Sequence, residues 1–261
     1  MPGLDSAAGK YRDLCTRLGE LPPVAVAFSG GVDSSLLMAA ALAVQGEQVL
    51  VLHARSPLQA AGECEKALTL AADLQCRPEI VDLDPYAWPE FVANPRDRCY
   101  HCKKRIYARF LDRAREQGRA VLLDGTNADD LKTDRPGLRA LEEMDVHTPL
   151  AQVGLSKKEV RSLACKQGLP NWDKPSASCL ATRIMTGQAI TPERIAVVAA
   201  GEKFLAGLGF SGCRFRHFGH KCLLEVEPDD YNRLTSRDIR LAAESFCRCL
   251  GFTAVDLGMR P

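Results

Sequence analysis

The sequence has no apolar run long enough to cross a bilayer. No basic-then-apolar leader opens it either, since Met1-Pro2-Gly3-Leu4-Asp5 mixes small, apolar and acidic residues. The expectation is a cytoplasmic protein with no membrane partner. Excess charge is missing too: 34 Lys and Arg stand against 33 Asp and Glu, a formal net charge of +1. Without a global field or a recognisable RNA-binding module, nucleic acid is disfavoured as a partner. Internal repeats and low-complexity segments are absent, which excludes a repeat array. No Gly-Lys-Ser/Thr ending is found, so the P-loop grip on a β,γ-phosphate pair is excluded. What is present is a chain of 261 residues, 46% hydrophobic, enough for a large core and two domains. It also carries eleven cysteines. Their odd number and irregular spacing favour reduced thiols, a few of them chosen for chemistry.

The organising stretch is Ser29-Gly30-Gly31-Val32-Asp33-Ser34-Ser35, between the apolar run Val24-Ala25-Val26-Ala27-Phe28 and a helix-like run from Leu36. That order predicts a short buried strand, a tight turn of small residues and a helix start. Glycines at 30 and 31 can take left-handed angles and leave no side chain in the way, so several N–H groups can converge on one anion. The helix behind adds its unpaired amides and positive dipole end. The stretch resembles the SGGxDS signature of the PP-loop ATP pyrophosphatase family, whose members cleave ATP between the α and β phosphates. The resemblance implies that Ser29, Gly30, Gly31, Ser34 and Ser35 hold pyrophosphate and that Asp33 associates with Mg²⁺. A carboxylate plus phosphate oxygens suits that cation better than an all-protein cage.

Residues before Pro22 form an amphipathic pattern with Tyr11, Leu14 and Leu18 on one face. A second strand, Val49 to Leu52, ends at His53-Ala54-Arg55-Ser56, a candidate adenine wall at the carboxyl edge of a sheet; His53 reads equally well as an ordinary strand-end residue. A helix over about 57–74, a strand over 79–82, a basic helix over about 102–117 and a strand over 120–124 continue the alternation. This predicts an α/β fold, a doubly wound parallel sheet of the PP-loop, adenine nucleotide alpha hydrolase-like kind. The last of these strands runs into Gly125-Thr126-Asn127-Ala128-Asp129-Asp130. PP-loop proteins often carry a similar GTNxxD stretch facing ATP, which makes Gly125, Thr126 and Asp129 candidate nucleotide or Mg²⁺ contacts.

Thr148-Pro149-Leu150 reads as a last short strand, and Ser156-Lys157-Lys158-Glu159 has capping-box spacing for a helix to about residue 167. The Pro- and Ser-rich stretch 169–178 predicts an extended loop and the domain boundary, giving an ATP-binding domain over 1–170 and a smaller α/β domain over 171–261. In the latter, Thr191-Pro192-Glu193 starts a helix, residues 213–217 and 222–226 pair as a hairpin around Gly219, and a helix over about 229–250 precedes a strand over 252–256.

Cys99-Tyr100-His101-Cys102 points two thiols at one centre, with Arg98, Lys103, Lys104 and Arg105 favouring the thiolates. Two thiolates do not close a Zn²⁺ or Fe–S site, and the best third donor is Cys179, beside Arg183 in the loop at the domain junction. Cys15, Cys64, Cys76, Cys165, Cys247 and Cys249 lie in helix-like or apolar contexts that suit structural thiols. Lys103 and Lys104, at the head of the basic helix, are placed to reach ATP phosphates, and the rest of its charge is a solvated face.

The PP-loop, the stretch Pro175-Ser176-Ala177-Ser178-Cys179-Leu180-Ala181-Thr182-Arg183 and the later Arg214-Phe215-Arg216 together resemble the LarE family over nearly the whole chain. That family supplies sulfur to a pyridinium dicarboxylate mononucleotide during synthesis of the nickel-pincer nucleotide cofactor. The resemblance implies ATP, Mg²⁺ and a [4Fe–4S] cluster bound through Cys99, Cys102 and Cys179, a small-molecule nucleotide substrate, and a homo-oligomer. It assigns Thr182, Arg183, Arg214 and Arg216 to the substrate phosphate, with Glu202 and Glu225 beside that pocket. From the residues alone, Arg214 and Arg216 alternate along a strand, so both guanidinium groups face one side, suited to an oxyanion. The competing readings are a tRNA thiolation enzyme with a similar cluster, a nucleotide-binding regulator that never cleaves ATP, and a structural Zn²⁺ protein.

Overall fold

The computed structural model describes residues 2–133, 136–175 and 178–260, with residues 2–5 described by backbone alone. It divides into two compact units: residues 1–56, 62–84 and 97–177 form the first, and 57–61, 85–96 and 178–261 the second.

The first unit alternates helix and strand: α1 (Pro2–Glu20), β1 (Val24–Ala27), α2 (Val32–Gln45), β2 (Leu50–Arg55), α3 (Glu63–Asp73), β3 (Glu79–Asp82), α4 (Arg98–Glu116), β4 (Val121–Leu123), α5 (Pro136–Glu143) and α6 (Lys157–Lys166). All four strands are parallel, in the order β3-β2-β1-β4. β1 is buried on both faces, and its alternating residues divide between two cores. Val24, Val26 and Phe28 pack with Leu14, Leu18, Leu36, Leu37, Val160 and Leu163 of α1, α2 and α6, whereas Ala25 and Ala27 pack with Tyr107, Phe110 and Ala114 of α4. Helices therefore cover both sides, the doubly wound arrangement that the alternation predicts. The chain runs from β1 to β2 and β3 in one direction and places β4 on the other side, so the strand order reverses between β1 and β4. In such sheets the crevice beyond the carboxyl ends of those two strands is where ligands bind.

The second unit contains α7 (Pro192–Gly207), β5 (Arg214–Phe218), β6 (Lys221–Val226), α8 (Arg237–Cys249) and β7 (Ala254–Met259). β5 and β6 are the antiparallel hairpin expected around Gly219, and β7 adds in parallel to β6. Phe215, Leu224, Val226, Val198 and Leu205 are buried between this sheet and α7.

Three expected elements differ. The helix expected from residue 57 begins at Glu63, after Gly62 at φ 79, where the left-handed backbone prevents helical continuation. The segment before it is recruited elsewhere, Leu58 O accepting from Leu180 N at 2.9 Å within the second unit. Thr148-Pro149-Leu150 opens a one-turn helix, Pro149–Gln152, instead of a strand. Proline has no N–H for a ladder but suits a first helical position, and next to this segment an isolated parallel bridge joins Leu123 and His147. The helix expected over 229–250 is broken at Thr235-Ser236: Thr235 Oγ1 bonds back to Tyr231 O at 3.1 Å, Ser236 Oγ to Arg233 O at 2.7 Å, and Ser236 is extended. Such side chains offer the backbone an alternative to the helical ladder. Of the extended loop expected over 169–178, residues 176 and 177 lie outside the described residues.

Candidate functional site

At the carboxyl end of β1 the backbone turns through Ser29 to Gly31 into α2. Gly30 has φ 77, and a Cβ there would stand 2.7 Å from Ala67 Cβ, so both its angle and its space require glycine. Ser34 Oγ and Ser35 Oγ both donate to Gly31 O, at 3.0 and 2.9 Å, while Ser34 Oγ also receives Ser29 N at 3.2 Å. The loop is thus knit by its own serines, and the first amides of α2 behind it have no intrahelical partners, the feature an anion site uses.

The turn after β4 packs directly on this loop. A Cβ on Gly125 would lie 2.8 Å from Ser34 N and 3.0 Å from Ser34 Cα. Thr126 and Asn127 are buried, and Asn127 Nδ2 donates to Asp33 Oδ1 at 3.1 Å. Lys157 Nζ ion-pairs with Asp33 Oδ2, and its backbone N donates to Asp129 Oδ2 at 2.8 Å. Bonds from Lys132 Nζ and from that Lys157 amide hold the Asp129 carboxyl below its usual range. Ser156 caps α6 with the reciprocal Glu159 box, which fixes Lys157 at the first turn. Asp33 and Asp129 therefore share one polar network with Asn127 and Lys157. For Mg²⁺ the donor chemistry fits: one carboxylate at a helix N-terminus, short of a full cage, leaves the remaining positions to phosphate oxygens and water.

The cysteine-bearing helix starts beside the same edge. Cys99 and Cys102 both lie in the first five residues of α4, which begins at Arg98, earlier than the spacing predicts, and their offset of three puts them on one face. Lys103 Nζ is 3.9 Å from Asp124 Oδ2, and Asp124 also accepts from Tyr107 Oη and from Thr126 N at 2.8 Å. Burial, then the neighbouring Asp124 charge, pushes the Tyr107 phenol well above its ordinary pKa, so it stays a donor. Lys104 turns away to Glu143, at 3.0 Å.

His53 is buried, 1% exposed. Its Nδ1 faces Phe28 O at 2.9 Å, and since a carbonyl only accepts, the proton sits on Nδ1 and Nε2 is a buried acceptor with no partner. Burial lowers its pKa.

In the second unit Cys179 heads a short turn in which Thr182 Oγ1 donates to Cys179 O at 2.8 Å. Arg183 is 7% exposed and is held by Glu202 at 2.6 Å, Ser178 Oγ at 2.7 Å and Thr182 Oγ1 at 2.7 Å. Arg216 is paired with Glu225 at 2.6 Å, and Arg260 with Glu227. Arg214 differs. Among the described residues no carboxylate forms an ion pair with it; burial, then the charges of Arg260, Arg183 and Arg216, lowers its pKa, and Glu225, opposite it in the hairpin, offsets this in part. Four guanidinium groups thus act on one region with one cation left over, an electrostatic demand for an anion. Cys213 lies nearby as a resting thiol, pushed up to about 11 by burial and then by Glu202.

All eleven cysteines are thiols, with Cys99 and Cys179 exposed and Cys102 half-buried. Cys99 and Cys102 belong to the first unit and Cys179 to the second. Among the described residues no group of three or more His, Cys, Asp or Glu is arranged to hold a metal ion. No described helix is long and apolar enough to cross a membrane.

Pyridinium-3,5-bisthiocarboxylic acid mononucleotide synthase of Lactiplantibacillus plantarum is 37% identical over 221 residues, 84% of this chain and 79% of that protein. The chain belongs to the LarE family. An uncharacterized protein of Synechocystis is 35% identical to this LarE-family chain over 232 residues, 89% of it and 86% of the relative. A glutamine-hydrolyzing GMP synthase component from Methanoculleus marisnigri is 31% identical over 220 residues, 75% of this chain and 66% of that relative, a likeness in keeping with a PP-loop fold. No family model matches the chain. As a LarE-family member related to two kinds of synthase, the protein is an enzyme.

Lys157, Asn127, Asn171, Asp124, Tyr107 and Arg260 escaped the reading of the sequence. Two signals lay near them: the GTNxxD-like stretch contains Asn127 and follows Asp124, and the capping box at Ser156 contains Lys157.

Proposed function

We propose that this LarE-family enzyme is an ATP-dependent sulfur transferase acting on pyridinium-3,5-biscarboxylic acid mononucleotide, giving a thiocarboxylate for the nickel-pincer nucleotide cofactor. A carboxylate is a poor acyl donor because its leaving group is oxide. Attack of a carboxylate oxygen on the α-phosphorus of ATP expels pyrophosphate and leaves an acyl adenylate, from which a sulfur nucleophile displaces AMP. Ser29, Gly30, Gly31, Ser34 and Ser35 hold the departing pyrophosphate, Asp33 with Asp129 supports Mg²⁺, and Gly125, Thr126, His53 and Lys103 line the nucleotide side. Thr182, Arg183, Arg214 and Arg216 bind the substrate phosphate, with Glu202 and Glu225 holding two of those arginines in place. The ligand set Cys99, Cys102 and Cys179 is all thiol, the donor type of an iron–sulfur cluster, and a bound [4Fe–4S] cluster would supply sulfide for transfer.

The observation that carries this reading is within the first unit. The helix that bears Cys99 and Cys102 starts where Lys103 stands 3.9 Å from Asp124, in the turn that packs on the anion cradle. Sulfur donors and phosphate cradle share one sheet edge, as thiolation through an adenylate requires. The test is pyrophosphate release from MgATP that depends on the dicarboxylate mononucleotide, together with mass spectrometry of the product under anaerobic conditions with iron and sulfide. Release without that substrate, or a product with no added sulfur, would sink the assignment.

A further inference from the structure

The cradle contains two adjacent glycines joined by one peptide. Gly30 has φ 77, while Gly31 has φ −78 and ψ 156. Neither has a Cβ, so rotation of the peptide between them meets little steric resistance. The orientation matters because a trans peptide points its C=O and N–H to opposite sides. One orientation offers Gly31 N–H to an anion. The other offers Gly30 O, which repels it.

One side chain outside the loop holds that peptide. Asn171 Nδ2 donates to Gly30 O at 3.0 Å and to Ser35 Oγ at 3.0 Å. Ser35 Oγ in turn donates to Gly31 O at 2.9 Å, so the carbonyls on either side of Gly31 are both fixed. Among the described residues Gly31 N–H is engaged by Ser29 Oγ at 3.4 Å, a weak bond that leaves it available. Asn171 is 8% exposed; its O accepts from Lys174 N at 3.2 Å, and the residues that follow it are tied down, Arg161 donating to Trp172 O at 3.3 Å and Lys174 O at 2.9 Å and Lys174 pairing with Glu63 at 2.8 Å. A side chain more than a hundred residues away in sequence therefore acts on the glycine pair.

We propose that Asn171 is a positioning residue of the anion cradle, a clamp that holds the Gly30–Gly31 peptide with its carbonyl turned inward to the Asn171 amide and its N–H toward a bound di- or triphosphate. This rests on the reading of the loop as a pyrophosphate cradle. Without the clamp the peptide samples the flipped state, and only the competent fraction binds.

A double-mutant cycle tests it, because flipping would carry residue 31 to positive φ, open to glycine and resisted by alanine. A Cβ at Gly31 meets only Ser29 Oγ, at 3.4 Å, so Gly31→Ala fits the present conformation. Calorimetry with pyrophosphate and with MgATP would compare wild type, Asn171→Ala, Gly31→Ala and the double variant. Asn171→Ala is expected to weaken both probes about tenfold in the wild-type background and less than about threefold beside Gly31→Ala. Asn171→Asp, which sets an acceptor against Gly30 O, should lose more than Asn171→Ala. An equal cost in both backgrounds would mean general loosening of the unit and would overturn the clamp, as would affinity within about twofold of wild type in Asn171→Ala. Wild type binding neither probe would overturn the cradle reading and the clamp with it.

Discussion

Gly125→Ala adds one methyl group and probes the joint between the two turns at the sheet edge. The new Cβ would stand 2.8 Å from Ser34 N, 3.0 Å from Ser34 Cα and 3.1 Å from Asp33 C. All three are backbone atoms at the head of α2, and ordinary carbon contacts begin near about 3.5 Å. No rotamer relieves the overlap, so the turn and the helix must part by roughly half an ångström or more. Overpacking of this kind costs about 1–3 kcal/mol, a sizeable part of a stability of about 5–15 kcal/mol. The displaced group is the one that carries Asp33 and the cradle amides, and misplacement on this scale can cost up to about a hundredfold in function. The expected result is a lower midpoint in urea and at least a tenfold weaker affinity for pyrophosphate by calorimetry. Gly207→Ala is the control: its Cβ would meet nothing within 4 Å at the end of α7. That change should be neutral or stabilising by up to about 1 kcal/mol. Wild-type stability and affinity in Gly125→Ala would refute the packing of the second turn on the cradle.

Arg214→Gln should raise the thermal midpoint of the ligand-free protein, because it removes a half-buried cation that three other arginines oppose, while weakening phosphate binding by tenfold or more; a lowered midpoint would show the charge to be compensated. Cys179→Ala should end sulfur transfer and leave pyrophosphate release largely intact, and retained transfer in a single-turnover assay would move the chemistry to another thiol. His53 and His217 both have pKa values lowered by burial from the ordinary 6.5. Below about that pH the unfolded chain takes up protons that the folded one refuses, so stability falls as pH drops from 6.5 toward the folded values, by up to about 1.4 kcal/mol per unit for each group. Thermal melts between neutral pH and about pH 5 would show this acid loss. His53→Gln should reduce the slope, and an unchanged slope would remove His53 as its source.

The sequence alone settled the elements whose cause is local. The apolar run before Ser29, the small residues of the turn and the helix-forming run after it make strand, cradle and helix whatever surrounds them, and alternation of such pieces leaves a doubly wound sheet as the economical packing. The hairpin around Gly219 and the Ser156 capping box were legible for the same reason. Local pattern failed where a distant partner or a competing side-chain bond decided: residues 57–61 joined the second unit, and Thr235 and Ser236 interrupted a helix that periodicity would have continued. It could not assemble the site. Asp33 meets Lys157 across 124 positions and Gly30 meets Asn171 across 141, separations at which no periodicity survives. Residue type announces that a carboxylate or a glycine can serve an anion. Which amine neutralises the one and which amide steadies the other is fixed only when strands of a parallel sheet bring their carboxyl ends together, because the free energy of those contacts exists only in the folded packing.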